Sequence, residues 1–304
     1  MQLSNQYKNN IIEKALNSKS KIILPEQYDP RIKAACEEMK TMGFNIIDID
    51  NFQENFEKLK NKVIKKKFAK NWTQRMIDEY LSSPLIRGLL LLDDNFGDVL
   101  VAGAIHSTSD VIRSAIRIVG VDAYSKWVSS IFFMISPEFD KAYTYSDCGV
   151  IPEPDEYQLV SIAFNAANYH QLLSEEQPKV AFLSFSSKGS SDFYKLERIR
   201  KAVKIFKKKY PDIICDGELQ FDAAIDSTIM KSKVGKSALD TNFNVFIFPD
   251  LNSGNIAYKI TQYLANYSAW GPLLMGLAKP VHDLSRGCNI DDIICISSIA
   301  CLKK

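Results

Sequence analysis

The run of residues best equipped for chemistry is Lys279-Pro280-Val281-His282-Asp283-Leu284-Ser285-Arg286-Gly287-Cys288-Asn289-Ile290-Asp291-Asp292, which brings a serine, an arginine and a carboxylate to one loop and one helix start. A turn with Arg286 beside Ser285 can hold a phosphate or carbonyl oxygen, and Asp292 can return from the helix as a base. Cys288 beside a guanidinium could be a reactive thiol. It reads better as a small packing residue next to Gly287, because His282 is the only histidine nearby.

A second cluster is His106-Ser107-Thr108-Ser109-Asp110, followed by Arg113. It offers hydroxyls, free helix N–H groups and a guanidinium to an anion. Capping alone would explain Ser109 and Asp110. Arg113 falls in a first helical turn, where the helix dipole disfavours a cation, so it needs an anionic ligand or a tertiary salt bridge. Phe185-Ser186-Ser187-Lys188-Gly189-Ser190-Ser191 is a further hydroxyl and glycine loop ahead of a helix capped by Ser191 or Asp192. Asp216, Glu218 and Asp222 stand just past an expected strand, as a metal pair, a general acid and base, or hydrogen-bonding groups between domains. Phe248-Pro249-Asp250-Leu251-Asn252-Ser253-Gly254-Asn255 repeats the plan of strand, polar turn and helix.

The elements that must carry these loops alternate. Lys21 to Leu24 reads as a strand, Asp29 and Pro30 as the cap and first residue of a helix ended by Gly43, and Phe44 to Ile49 as a second strand, the spacing of a parallel crossover. Val99 to Gly103, Val180 to Ser184, Ile213 to Cys215 and Phe243 to Phe248 are further strands. Asp110 would cap the helix after the first of these. Another helix carries Leu196, Ile199, Val203 and Phe206 on one face, and a later one has a stripe of Ile256, Ile260, Tyr263 and Leu264. Ser129 to Tyr145, rich in β-formers without a following helix, marks an antiparallel excursion and a domain boundary. Leu273 to Gly276 and a helix over Ile290 to Cys301 end the chain. In such α/β sheets ligands gather at the carboxyl ends of the strands, where these polar loops lie.

The 304 residues, 46% hydrophobic and 24% charged, make one large or two ordinary globular domains. A formal charge of +2 gives no broad positive field, so neither nucleic acid nor a membrane surface is an expected partner. The six cysteines show no metal-ligand or disulfide spacing, and no export signal or membrane-spanning run is seen, which fits a reducing cytoplasm. The lysine cluster from Lys58 to Lys70 reads as the exposed face of a helix, with a phosphate-binding edge as the alternative.

The segments DGELQFDAA, FPDLNSGNIAYK and DLSRGC with its trailing acids, together with HSTSD and SSKGS, resemble the phosphate acetyltransferase (phosphotransacetylase) family. The resemblance runs from about Pro84 to the C-terminus. Before that it covers only the opening strand-helix-strand pattern, and the chain looks short for the family around Asp50 to Lys70.

The resemblance implies a homodimer of subunits with two three-layer α/β domains, each with a mostly parallel sheet, and a cleft between them. The first domain would hold Met1 to Val128 plus Ala265 to Lys304, the second Ser129 to Leu264. It implies acetyl transfer between coenzyme A and inorganic phosphate in a ternary complex, part of acetate metabolism. CoA is then a substrate, and no bound cofactor or metal is expected. The family's catalytic residues fall on Ser285, Arg286, Asp292 and Arg113, and an arginine near its CoA site falls on Lys67. Ser107, Ser109, Ser187, Lys188, Gly189, Ser190, Glu218 and Asn255 are the expected substrate-binding residues. A phosphate butyryltransferase and a CoA-responsive regulatory paralogue are the alternatives, since no residue here visibly fixes acyl length.

Overall fold

Short parallel strands and their crossover helices build most of the chain, and the computed structural model describes residues 6–49, 56–235 and 242–302. The elements run α1 (Gln6–Ser18), β1 (Lys21–Ile23), α2 (Pro30–Met42), β2 (Asn45–Ile47), α3 (Phe56–Lys65), α4 (Gln74–Ser82), α5 (Pro84–Asp93), β3 (Val99–Ala102) and α6 (Thr108–Ile118). There follow β4 (Ser129–Ile135), β5 (Ala142–Ser146), α7 (Glu156–Ser174), β6 (Lys179–Leu183), α8 (Leu196–Lys209), β7 (Ile214–Leu219), α9 (Phe221–Ile225) and α10 (Ser227–Val234). The last are β8 (Val245–Ile247), α11 (Leu251–Leu264), β9 (Ser268–Met275), β10 (Val281–Asp283) and α12 (Ile290–Ala300). The chain divides into two compact units: Met1–Tyr7 with Trp127–Trp270, and Lys8–Lys126 with Gly271–Lys304.

In the unit formed by Lys8–Lys126 and Gly271–Lys304, four strands take the order β10-β3-β1-β2, all parallel. α2 packs on α12 and α5 on α6, and both α5 and α12 also touch β3. A strand covered on both faces needs an unbroken apolar run, and Val99 to Ala102 is buried at every position. α2 begins and ends as its sequence requires. The Asp29 side chain accepts from the Arg31 N–H, Pro30 occupies the first turn, and Gly43 closes the helix at φ 101°, a left-handed conformation costly for any residue with a Cβ.

Lys58, Lys62 and Lys66 of the lysine run are paired with carboxylates. Leu59 and Val63 are buried, while Lys58 and Lys62 reach Asp94 at 2.6 and 2.8 Å and Lys66 reaches Asp93 at 2.9 Å. Lys66 also donates to the Ile118 carbonyl at 2.7 Å, at the end of α6. Part of the Asp50 to Lys70 stretch, residues 50–55, lies outside the described residues.

The second sheet has the order β7-β6-β8-β5-β4-β9. Neighbours from β7 to β5 are parallel, and β4 pairs antiparallel with β5, Ile131 facing Ser146 and Ile135 facing Ala142. This is the antiparallel excursion expected over Ser129 to Tyr145. The core on one side joins Phe132, Met134, Tyr145, Leu183, Leu219, Phe246 and Phe248. α11 differs from an ordinary amphipathic helix, because its stripe of Ile256, Ile260, Tyr263 and Leu264 is exposed by 52 to 79%.

Three local expectations are corrected. α6 is capped by Ser107, not Asp110: Ser107 has extended dihedrals and its hydroxyl accepts from the Asp110 N–H, leaving Asp110 in the first turn. α8 starts at Leu196 after Lys195, beyond Ser191 and Asp192. β7 runs on to Leu219, so Asp216 and Glu218 are strand residues rather than loop residues.

Candidate active site

The polar loops after β3 and β10 lie side by side because the strands they follow are neighbours in the parallel sheet. Their floor is Glu26, just past β1 and buried. Its Oε2 accepts the N–H groups of Gly103 and Ala104 at 2.9 and 2.8 Å. Its Oε1 accepts those of Ile105 and His106 at 3.2 and 3.0 Å, and the His106 ring nitrogen Nδ1 lies 2.6 Å away. Burial alone would raise the Glu26 pKa, but the His106 ring and the backbone donors outweigh it and hold the carboxyl below its usual value. The same pair raises His106. One carboxylate thus fixes four consecutive backbone amides ahead of α6.

Arg31, in the first turn of α2, is the second tie. Its Nη1 donates to the carbonyls of Arg286 and Cys288 at 2.8 and 3.0 Å, and its Nη2 to that of Ala104 at 3.0 Å. Asp29 receives Nε and Nη2 at 3.1 and 2.7 Å, which offsets a cation at a helix N-terminus. Thr108 Oγ1 donates to Asp283 Oδ2 at 2.5 Å, joining the start of α6 to the end of β10.

On this frame Ser285 and Arg286 are exposed, and Ser285 Oγ accepts from the Gly287 N–H at 3.3 Å. Arg113, its side chain 70% exposed, approaches Asp110 at 3.4 Å. Ser107 caps α6 and donates to Asp110 Oδ2 at 2.6 Å, and Ser109 is exposed in the first turn. Asp292 forms a capping box: its Oδ2 accepts from the Asn289 N–H at 3.0 Å and its own N–H donates to Asn289 Oδ1 at 2.9 Å. Burial raises the Asp292 pKa, against the pull of the Asn289 N–H. Cys288 is buried, and burial pushes its thiol up to about 11, so the sulfur is held in its unreactive form. Lys67 stands apart, exposed on a short 3-10 turn (Lys67–Ala69) after α3.

The other expected residues belong to the unit of β6 and β7. Glu218 is buried and takes Arg200 through both oxygens, at 3.1 and 3.0 Å, with the Gly189 N–H at 2.9 Å and Ser186 Oγ at 3.1 Å. Burial works to raise its pKa, but these donors more than reverse that. Ser190 Oγ accepts from the Ser187 N–H at 3.1 Å, Ser187 Oγ from the Gln220 N–H at 3.0 Å, and Lys188 pairs with Asp216. Glu218 therefore shapes the Ser187–Ser190 loop. Asn255, on α11, donates to the Cys148 carbonyl at 3.1 Å.

The family model described as phosphate acetyl/butaryl transferase matches residues 34–301. The chain belongs to that family. It is 38% identical to a phosphate acetyltransferase of Acetivibrio thermocellus, with 96% of each chain covered, and 37% identical to one of Thermoanaerobacterium thermosaccharolyticum, covering 93% of this chain and 95% of that one. A solved phosphotransacetylase from Streptococcus pyogenes superposes with a TM-score of 0.89 at 32% identity, covering 98% of this chain and 97% of that one. Family similarity thus begins well before Pro84.

Among the described residues no group of three His, Cys, Asp or Glu side chains could hold a metal ion, and no helix is long and apolar enough to cross a membrane. Sequence reasoning named His106, Thr108 and Asp283 within its candidate runs without the contacts they make, and missed Glu26 and Arg31 as site-building residues. Arg31 carried a usable signal, since it breaks the same helix-dipole rule that singled out Arg113.

Proposed function

We propose that this chain transfers an acetyl group between coenzyme A and inorganic phosphate by direct attack in a ternary complex. What carries the reading is the pairing of the Arg113 helix with the Ser285-Arg286 loop at the carboxyl ends of neighbouring strands β3 and β10, in a chain of this family. Asp292 takes the proton of the CoA thiol, and the thiolate attacks the acetyl phosphate carbonyl. The C–S bond forms, the C–O bond to phosphate breaks, and phosphate leaves with that electron pair. Arg286 and Ser285 offset charge on the intermediate, and Arg113 holds the phosphate. A thiol near ~8.5 is a weak acid beside an ordinary carboxylate near ~3.9. The burial that raises Asp292 narrows that gap.

Ser107, Ser109, Ser187, Lys188, Gly189, Ser190 and Asn255 complete the substrate contacts, with Lys67 serving the CoA phosphates and Glu218 acting through the loop it holds. The exposed α11 stripe supports a homodimer, since four large apolar side chains in open water favour a partner surface. Six cysteines without a disulfide support the cytoplasm as location.

The test is acetyl phosphate plus CoA with the purified protein, following thioester absorbance, with butyryl phosphate in parallel. Faster turnover of the acetyl substrate is expected. Thioester formation from butyryl phosphate alone would make it a butyryltransferase, and CoA binding without any turnover a regulatory module.

A further inference from the structure

Asp147, just past β5, is buried, and the chemistry above leaves it unused. Five donors converge on its carboxylate. Oδ1 accepts the N–H groups of Ser130, Gly149 and Val150 at 3.1, 3.0 and 3.2 Å together with the Ser130 hydroxyl, and Oδ2 accepts that of Ile151 at 2.9 Å. Burial raises the Asp147 pKa, and these donors pull against it. Ser130, on β4 and itself buried, passes the constraint on, because its Oγ also accepts from the Cys148 N–H at 3.3 Å. The Cys148 carbonyl in turn accepts from Asn255 Nδ2 at 3.1 Å. The first turns of α11 are held against this loop. Leu251 N–H donates to the Pro152 carbonyl at 3.0 Å, and a Cβ added at Gly254 would come within 2.3 Å of the Asp147 backbone oxygen.

A carbonyl only accepts, so the Asn255 carboxamide turns its NH2 end to Cys148 and holds Oδ1 away from it. No other side-chain hydrogen bond of Asn255 is found among the described residues. The oxygen so aimed suits an N–H donor and opposes an anion. Phosphate and acetyl phosphate carry acceptor oxygens and negative charge, whereas CoA carries N–H groups on its adenine and on its pantetheine amides. We propose that Asn255 accepts an N–H group of coenzyme A through Oδ1, and that Asp147 and Ser130 are positioning residues that aim it through the Cys148 peptide. The inference rests on the function proposed above, in which CoA is a substrate.

The experiment measures CoA binding by calorimetry in a double-mutant cycle of Ser130→Ala and Asn255→Ala. Asn255→Ala should weaken CoA about tenfold and Ser130→Ala about threefold. Adding Ser130→Ala to Asn255→Ala should cost nothing further, because the hydroxyl acts only through that amide. Adenosine 3′,5′-bisphosphate, the nucleotide end of CoA, separates the two sources of the N–H. Weakening of this fragment by Asn255→Ala places the donor on the adenine, and weakening confined to intact CoA places it on the pantetheine. In turnover the KM for CoA should rise in both single variants while that for acetyl phosphate stays within about twofold of wild type, a split that general loosening of the fold would not produce. Asp147→Asn should show the same coupling to Asn255, and its melting temperature reports whether it folds; if it does not, the Ser130→Ala cycle decides. Independent losses in the cycle, unchanged CoA affinity in Asn255→Ala, or KM values for both substrates rising together would overturn the proposal. If wild type binds CoA but makes no acetyl-CoA, the functional reading fails and the binding cycle still decides the role of Asn255. If it binds no CoA, both fail.

Discussion

Arg31 Nη1 donates to the backbone carbonyl of Arg286 at 2.8 Å, so one arginine fixes the main chain of another while leaving its guanidinium exposed. The same side chain holds Ala104 and Cys288. Arg31→Lys keeps the charge but cannot span three carbonyls with one ammonium. It should cost about 1 to 2 kcal/mol in urea unfolding, a discounted figure because the side chain is partly exposed. It should also lower kcat/KM by tenfold or more. Wild-type kinetics in the lysine variant would show that the loop holds itself.

Glu26 and His106 make a pH-dependent clasp. A depressed Glu26 gives stability that is present above its ordinary value of 4.5 and lost as pH falls through the folded value. A raised His106 gives stability that is full below its ordinary 6.5 and lost as pH rises through the folded value. The melting difference between wild type and Glu26→Gln should therefore peak between those limits and shrink on both sides. Near pH 6 the variant should be weaker by roughly 2 to 4 kcal/mol, because its amide nitrogen faces other donors. A difference that does not vary with pH would remove the ion pair from the account.

Asp292 has two available roles, helix cap and base. Asp292→Asn retains an acceptor for the Asn289 N–H but cannot take a proton. Stability should change by less than about 1 kcal/mol while kcat falls at least a hundredfold, with KM for acetyl phosphate nearly unchanged. Near-normal turnover would leave Asp292 as a cap and require a base elsewhere.

Arg113→Ala and Arg286→Ala should both lose activity. Arg286→Lys should recover only part of it, because a single ammonium replaces a planar fork. Unfolding midpoints of all three should stay close to wild type, since both side chains are exposed. A lysine variant with wild-type rate constants would reduce Arg286 to a point charge.

Cys288→Ala should keep most activity, as its buried thiol is held protonated and the CoA thiolate is the nucleophile. Radiolabelled acetyl retained on denatured wild type but absent from the alanine variant would establish an acyl-enzyme instead.

The parts of this protein legible in its sequence are those made by residues close in the chain. Asp29, Pro30 and Gly43 declare both ends of α2, and Asn289 and Asp292, three apart, declare the box that starts α12. The β4–β5 pair showed as a stretch of β-formers without a following helix. Where several polar residues precede a helix, composition does not choose the cap: the sequence pointed to Asp110 for α6, and the extended backbone and hydroxyl contact give the role to Ser107. The length of β7 was settled by pairing with β6, which carried Asp216 and Glu218 into the sheet. Only the strand order β10-β3-β1 brought Glu26, the amides of Gly103 to His106 and the carbonyl of Arg286 into one network. Capping and periodicity act over a turn or two of chain and leave a local signature. Strand order is set by packing energy summed across the sheet, and the residues it joins, 77 to 255 positions apart, carry no mark of one another.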